Sequence, residues 1–140
     1  MYPTKCVSIA DDGWVRIAIS NQRRALGQRG EDLAVQHLAA RDYIVRERNW
    51  RCTAGELDIV AERDGTLIFV EVRTRRGDRL GTPEESITPA KRARLIGAAQ
   101  TYLDEHAEAD RDWRIDVVAV EIGPSGEVVR CEVIENAIEG

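Results

Sequence analysis

An α/β fold with a mixed sheet flanked by helices is the class this sequence predicts, on three observations. Leu26, Leu33, Ala34, Val35 and Leu38 recur at three- and four-residue steps, the period of a helix with one apolar face. Two apolar runs, Leu57–Ala61 and Leu67–Val72, flank Arg63-Asp64-Gly65-Thr66, and Asp-Gly between such runs is a strong hairpin signal. Thr88-Pro89 then opens a second helical stretch, followed by a compact apolar run at Ile115–Val120. The order helix, three strands, helix, strand implies a meander followed by a crossover to a parallel strand.

Taken in order, residues 1–20 carry short apolar pieces, Val7–Ile9 and Trp14–Ile19, without a sustained period. They read as an appendage to a single domain over residues 21–140. The first helix is expected from Asn21 to Arg41, its start weakened by Gly27 and Gly30. Tyr43–Asn49 is a short strand, and the two hairpin strands follow. Arg75 to Ser86 is polar and contains Gly77, Gly81 and Pro83, so it reads as an exposed loop. Thr88 is placed as an N-cap and Pro89 as the first residue of a helix that reaches about His106. After the strand at 115–120, the Gly123–Gly126 turn leads to a last edge strand, Gly126–Ile134.

The 140 residues are 43% hydrophobic and 32% charged, which excludes a disordered chain. No apolar run approaches the ~20 residues of a membrane span, and the N-terminus lacks a secretory pattern, so a cytoplasmic protein is expected. Cys6, Cys52 and Cys131 are odd in number and widely spaced, against a disulfide framework or a zinc knuckle. Net charge is −5, but it is polarised: residues 1–30 carry +3 and residues 73–103 carry +4, whereas residues 104–140 carry −8. A basic face beside an acidic one is compatible with a nucleic-acid partner. No G-x-x-x-x-G-K-[ST] loop is present, and His37 and His106 have no Ser or Cys nucleophile motif nearby.

Hairpin arithmetic supplies the candidate site. With a two-residue loop at Asp64-Gly65, Arg63 faces Thr66, Val60 faces Phe69, Asp58 faces Glu71 and Glu56 faces Arg73, all on one side of the sheet. Opposed side chains lie ~4.5–5.5 Å apart, where two like charges destabilise a sheet. Glu71 also sits inside the apolar run 67–72, where a bare carboxylate is costly. Three remedies exist: one carboxyl is protonated, an arginine pairs with both, or a cation binds between them. Arg73, on the same face, suits the second. Glu31 adds a third acid, on the helical face of Ala34, Val35 and Leu38; the alternative is an acid favoured by the helix dipole near Gly30. Glu56 is expected to pair with Arg73 or line the groove rather than bind metal, and Asp116 is either an inner-sheet or a solvent-facing acid.

G-E-L-D at 55–58, F-V-E-V-R-T-R at 69–75 and G-x-x-G-E at 27–31 together resemble the YraN-type family of endonuclease-like proteins. That family is related to archaeal Holliday-junction resolvases and to the PD-(D/E)-x-K nuclease superfamily. The likeness extends over Arg24 to Ile134 and includes Lys91, Tyr102-Leu103 and Arg114–Val118. It implies a restriction-endonuclease-like core and a metal-dependent endonuclease acting on DNA, including branched DNA. Carried over, Asp58 is the metal-binding aspartate, Glu71 the acid of the triplet, and the main-chain carbonyl at Val72 a further ligand to Mg²⁺ or Mn²⁺. Glu31 matches the helical acid. Position 73, where the triplet has lysine, is arginine, which stays protonated and has a wide planar head. Lys91 is a phosphate contact or a substitute lysine, and Arg75, Arg76 and Arg79 extend the nucleic-acid surface. A resolvase-like task favours a symmetric homodimer. The rival reading is a non-catalytic nucleic-acid-binding or protein-interaction module in which Arg73 makes a planar fork to Asp58 and Glu71.

Overall fold

A computed structural model describes residues 12–77 and 81–139. Its elements are α1 (Asp12–Ala39), β1 (Ile44–Cys52), β2 (Gly55–Arg63), β3 (Thr66–Arg76), a 3₁₀ turn (Glu84–Ser86), α2 (Pro89–Glu105), β4 (Trp113–Ile122) and β5 (Val128–Ile138). The strands form one sheet in sequence order. β1, β2 and β3 make an antiparallel meander, β4 runs parallel to β3 after the α2 crossover, and β5 returns antiparallel. This is the mixed α/β class that the order of elements implied.

Local chemistry explains the joints. Asp64 (φ 52°) and Gly65 (φ 80°) both take positive φ, the geometry of the two-residue hairpin loop that Asp-Gly favours. The ladder that follows pairs Arg63 with Thr66, Val60 with Phe69 and Ile59 with Val70, in the expected register. Thr88 Oγ1 accepts the Lys91 amide at 3.1 Å and Pro89 begins α2, since proline at the first helical position gives up no hydrogen bond.

Side-chain alternation on β3 divides the core into two layers. Leu67 and Phe69 pack with Leu95, Ala98 and Tyr102 of α2, while Ile68 and Val70 pack with Ala34 and Leu38 of α1. The helices therefore cover opposite faces. Each fully buried side chain of Phe69 or Leu38 type contributes ~1.5–3 kcal/mol by leaving water. On β2 the alternation breaks. Leu57 and Val60, an odd number of residues apart, both belong to the α2-side core.

Several expected boundaries move. Helix α1 begins at Asp12 rather than Asn21, so residues 12–20 are helical; residues 1–11 lie outside the described residues. Gly27 and Gly30 are thus interior to the helix, not at its start. A Cβ at Gly30 would overlap Thr74 Oγ1 and stand 2.9 Å from Thr74 Cβ, so the missing side chain is what lets α1 approach β3. Strand β3 runs on to Arg76 instead of stopping at Val72, because β4 pairs with it as far as Arg76–Ile122. Residues 75 and 76, expected in a loop, are strand.

Candidate functional site

The β2–β3 ladder ends at Ile59–Val70, one step before Asp58 and Glu71 would pair. Beyond it the two strands fork. The Val72 amide, which has lost its ladder partner, donates to Asp58 Oδ2 at 2.8 Å. The aspartate carboxylate thus stands in the gap between strands, in the place of a main-chain carbonyl. In antiparallel pairing the N–H and C=O of one residue point to the same neighbour, so the Val72 carbonyl faces the same gap.

Glu71 is 2% exposed and points to the α2 side. Its Oε2 receives Arg73 Nη1 at 3.3 Å and Lys91 Nζ at 3.5 Å, the lysine arriving from the first turn of α2. Its Oε1 is buried and has no hydrogen-bond partner. An unsatisfied buried carboxylate oxygen costs ~1–3 kcal/mol or more, and either a proton carried by the hydrogen-bonded Asp58 carboxyl or a cation between the two acids offsets that cost. Burial, then the charge of Glu71, push the Asp58 carboxyl up to about 8, against the downward pull of the Val72 amide and Lys91. Too little positive charge is in place to hold the Asp58 carboxyl in its usual range.

Glu31 reaches the fork from α1. Its carboxyl is raised by burial and by the charge of Asp58, and is restrained by Arg48 Nη2 at 3.3 Å. With its amide turned to donate, Asn49 adds bonds of 3.2 and 3.3 Å to Glu31. Asn49 has φ 55°, a left-handed conformation tolerated better by asparagine than by other side chains, and it interrupts β1 opposite Asp58. Sequence reading missed it, although an Asn in a strand candidate is a usable sign of an irregularity.

A cleft of about 550 Å³ joins these groups, lined by Glu31, Asp58, Glu71, Val72, Arg73 and Lys91 together with Arg23 and Thr74. Asp58, Glu71, Val72, Glu31, Arg73 and Lys91 therefore line one cleft. Glu56 does not. It binds Arg51 at 3.3 Å across β1, while Arg73 Nε donates to Ser86 Oγ at 2.9 Å. Arg73 touches only one of the two acids, so the planar fork to both does not form.

Residues 30–120 match the family described as Uncharacterised protein family UPF0102. A UPF0102 protein of Roseiflexus castenholzii is 50% identical over 122 residues, 86% of this chain and 98% of the relative. Its counterpart from Symbiobacterium thermophilum is 46% identical over 114 residues, 81% and 96% of the two chains. One from Acidothermus cellulolyticus is 46% identical over 125 residues, 79% and 95%. This chain belongs to the UPF0102 family.

The matched UPF0102 region includes Glu31, Asp58, Glu71, Arg73 and Lys91. Of the arginines expected to extend the site, Arg76 is exposed at the end of β3, Arg75 donates to the Gly81 carbonyl at 3.4 Å, and Arg79 lies outside the described residues. Asp116 proves to be an inner-sheet acid, 0% exposed, bound by Arg114 Nε at 2.9 Å, the Tyr43 hydroxyl at 2.9 Å and the Asn136 amide at 2.8 Å. Among the described residues of this UPF0102 protein, no three His, Cys, Asp or Glu side chains enclose a ready-made metal cage, and no helix is long and apolar enough to cross a membrane.

Proposed function

We propose that this UPF0102 chain is a metal-dependent endonuclease that hydrolyses phosphodiester bonds of DNA, branched DNA included, on a restriction-endonuclease-like core. The observation that carries the reading is the pairing of two carboxyls, Asp58 and the buried Glu71, in an open cleft, with no cationic group on Glu71 Oε1. Two carboxylates and a carbonyl are an all-oxygen donor set, and hard ions such as Mg²⁺ keep several waters and need only one or two protein carboxylates. Asp58, Glu71 and the Val72 carbonyl would hold Mg²⁺ or Mn²⁺. Such an ion, when bound, lowers the pKa of a water and screens the scissile phosphate.

The chain's own groups divide the remaining work. Asp58 would give up its proton on holding such an ion, and Glu31 would support it from α1. Arg73 stays charged at any working pH and cannot take a proton, so it stabilises charge on the phosphate. Lys91 Nζ, on Glu71 from the far layer, stands in for the triplet lysine and orients the attacking water. In-line attack by that water forms one P–O bond and breaks another. Cutting both strands of a junction calls for a symmetric homodimer.

One observation favours a second reading. Lys91 and Arg73 both lie on Glu71 Oε2, as they would in a binding module whose acid is simply neutralised. Labelled linear, flapped and four-way DNA incubated with Mn²⁺ or EDTA separates the two. Cleavage with Mn²⁺, lost in Asp58→Asn and Glu71→Gln, is expected. So is a rise in Tm with Mn²⁺, worth about 2.7 kcal/mol at a hundredfold excess over Kd, that Asp58→Asn abolishes. No cleavage by the natural protein or by Arg73→Lys, with no Mn²⁺-dependent rise, leaves the binding module.

A further inference from the structure

The arginines of this protein fall into two populations. Arg46, Arg63, Arg111, Arg114 and Arg130 each hold at least one carboxylate within 4 Å. Arg23, Arg29, Arg76 and Arg94 form no ion pair with any described residue, and all are exposed. Arg24, Arg41 and Arg92 are also exposed and form no ion pair with a described residue, but they do not line the hollows that flank the acid pair. Arg23, Arg29 and Arg76 line a hollow of about 660 Å³ between α1 and the end of β3. That hollow shares Arg23 and Leu26 with the acid cleft, so the two adjoin. Across the cleft, Lys91 is shared with a third hollow of about 440 Å³, lined by Arg94 and Arg51. Arg51 is 76% exposed and bound only to Glu56, a surface pair worth little and readily exchanged for a phosphate.

We infer that the three hollows form one groove in which a nucleic-acid backbone crosses the acid pair and is gripped on both sides of it. Arg23, Arg29 and Arg76 form the stronger grip and Arg94 with Arg51 the weaker. Uncompensated arginines in a row with spacing left open between them suit a chain of phosphates, because each gains a charge-assisted bond without first breaking an internal one. A repulsive gap at the centre, where Asp58 and Glu71 stand, fixes where the phosphate needing metal must lie. A chain held on both sides is cut internally rather than from an end. This rests on the endonuclease reading for the identity of the polyanion, and it adds α1 and the Arg94 turn of α2 to the surface.

Fluorescence anisotropy of a labelled duplex in EDTA, over a series of salt concentrations, tests it without any chemistry. Removing one arginine–phosphate bond flattens the slope of log K against log salt by about 0.9. The combined Arg23→Gln, Arg29→Gln, Arg76→Gln variant is expected to flatten it by roughly 2–3, and Arg94→Gln with Arg51→Gln by roughly 1–2. Arg41→Gln, an exposed charge beyond the other end of α1, should leave the slope unchanged. Equal slopes for all variants, or an effect from the first set alone, overturns the two-sided groove. Absence of Mn²⁺-dependent cleavage by the natural chain, with both variant sets still flattening the slope, counts against the endonuclease reading and leaves the groove standing.

Discussion

Asp58 and Asp116 are the same structural device put to two uses. Each stands on a central strand where a ladder misses a pair: β2–β3 stops at Ile59–Val70, and β4–β5 shifts between Ile115 and Val117. Each accepts a main-chain amide of the next strand at 2.8 Å, from Val72 and from Asn136. An asparagine at positive φ lies beside each, Asn49 and Asn136. What differs is the third partner. Asp116 has the Arg114 guanidinium and the Tyr43 hydroxyl, and Tyr43 is in turn held protonated by burial and by that negative charge. Asp58 has another carboxylate. A broken ladder creates a slot for an aspartate either way, and the charge opposite the slot decides whether it closes as architecture or stays available to a ligand.

The largest expected effect comes from emptying the closed slot. Arg114→Leu leaves Asp116 buried with no cation and should cost ~3–5 kcal/mol in urea denaturation. A loss below ~1 kcal/mol would mean that the hydroxyl and amide suffice, and the contrast with Asp58 would dissolve.

The open slot should respond with the opposite sign. Asp58 titrates near 3.8 when unfolded and near 8 when folded, so between these values the native state binds more protons than the unfolded chain. Stability contributed by that proton is full below about pH 4 and is lost as pH rises toward 8. Asp58→Asn keeps an acceptor for the Val72 amide and removes the ionisation, so it should flatten the decline and gain ~2–4 kcal/mol at pH 9 in metal-free buffer. A variant less stable than the natural chain at pH 9 would show Asp58 to be as architectural as Asp116.

Two smaller changes refine the open side. Gly30→Ala drives a Cβ into Thr74 and should cost ~1–3 kcal/mol by lifting α1, and with it Glu31, from the fork. Thr74→Ala in that background should recover part of the loss, and no recovery would place the strain elsewhere. Arg73→Lys trades the Ser86 bond for a compact ammonium near the acid pair. About 1 kcal/mol of stability should go, and DNA cleavage should rise; a fall in cleavage would give the guanidinium an active part that lysine cannot copy.

What this sequence determined by itself is whatever depends on a few adjacent dihedrals and on strand parity. Asp64-Gly65 set the hairpin loop, and the loop set the register as far as Ile59–Val70; Thr88-Pro89 set the start of α2 in the same way. Membership of the UPF0102 family was legible as well, because its motifs are short and contiguous. Tertiary structure decided the rest. Parity arithmetic assumes an unbroken ladder, so it could not foresee that β2 and β3 fork after Ile59, turning the Glu56–Arg73 pair into Glu56–Arg51 and sending Arg73 to Ser86. The start of α1 at Asp12, the closeness allowed by Gly30, the Arg114–Asp116–Tyr43 contacts and the reach of Lys91 to Glu71 all join residues distant in the chain or in separate layers. Such contacts depend on how closely helices pack on a sheet and on which long side chain finds an uncompensated charge within reach. Those are properties of the assembled core, and no local run of residues carries them.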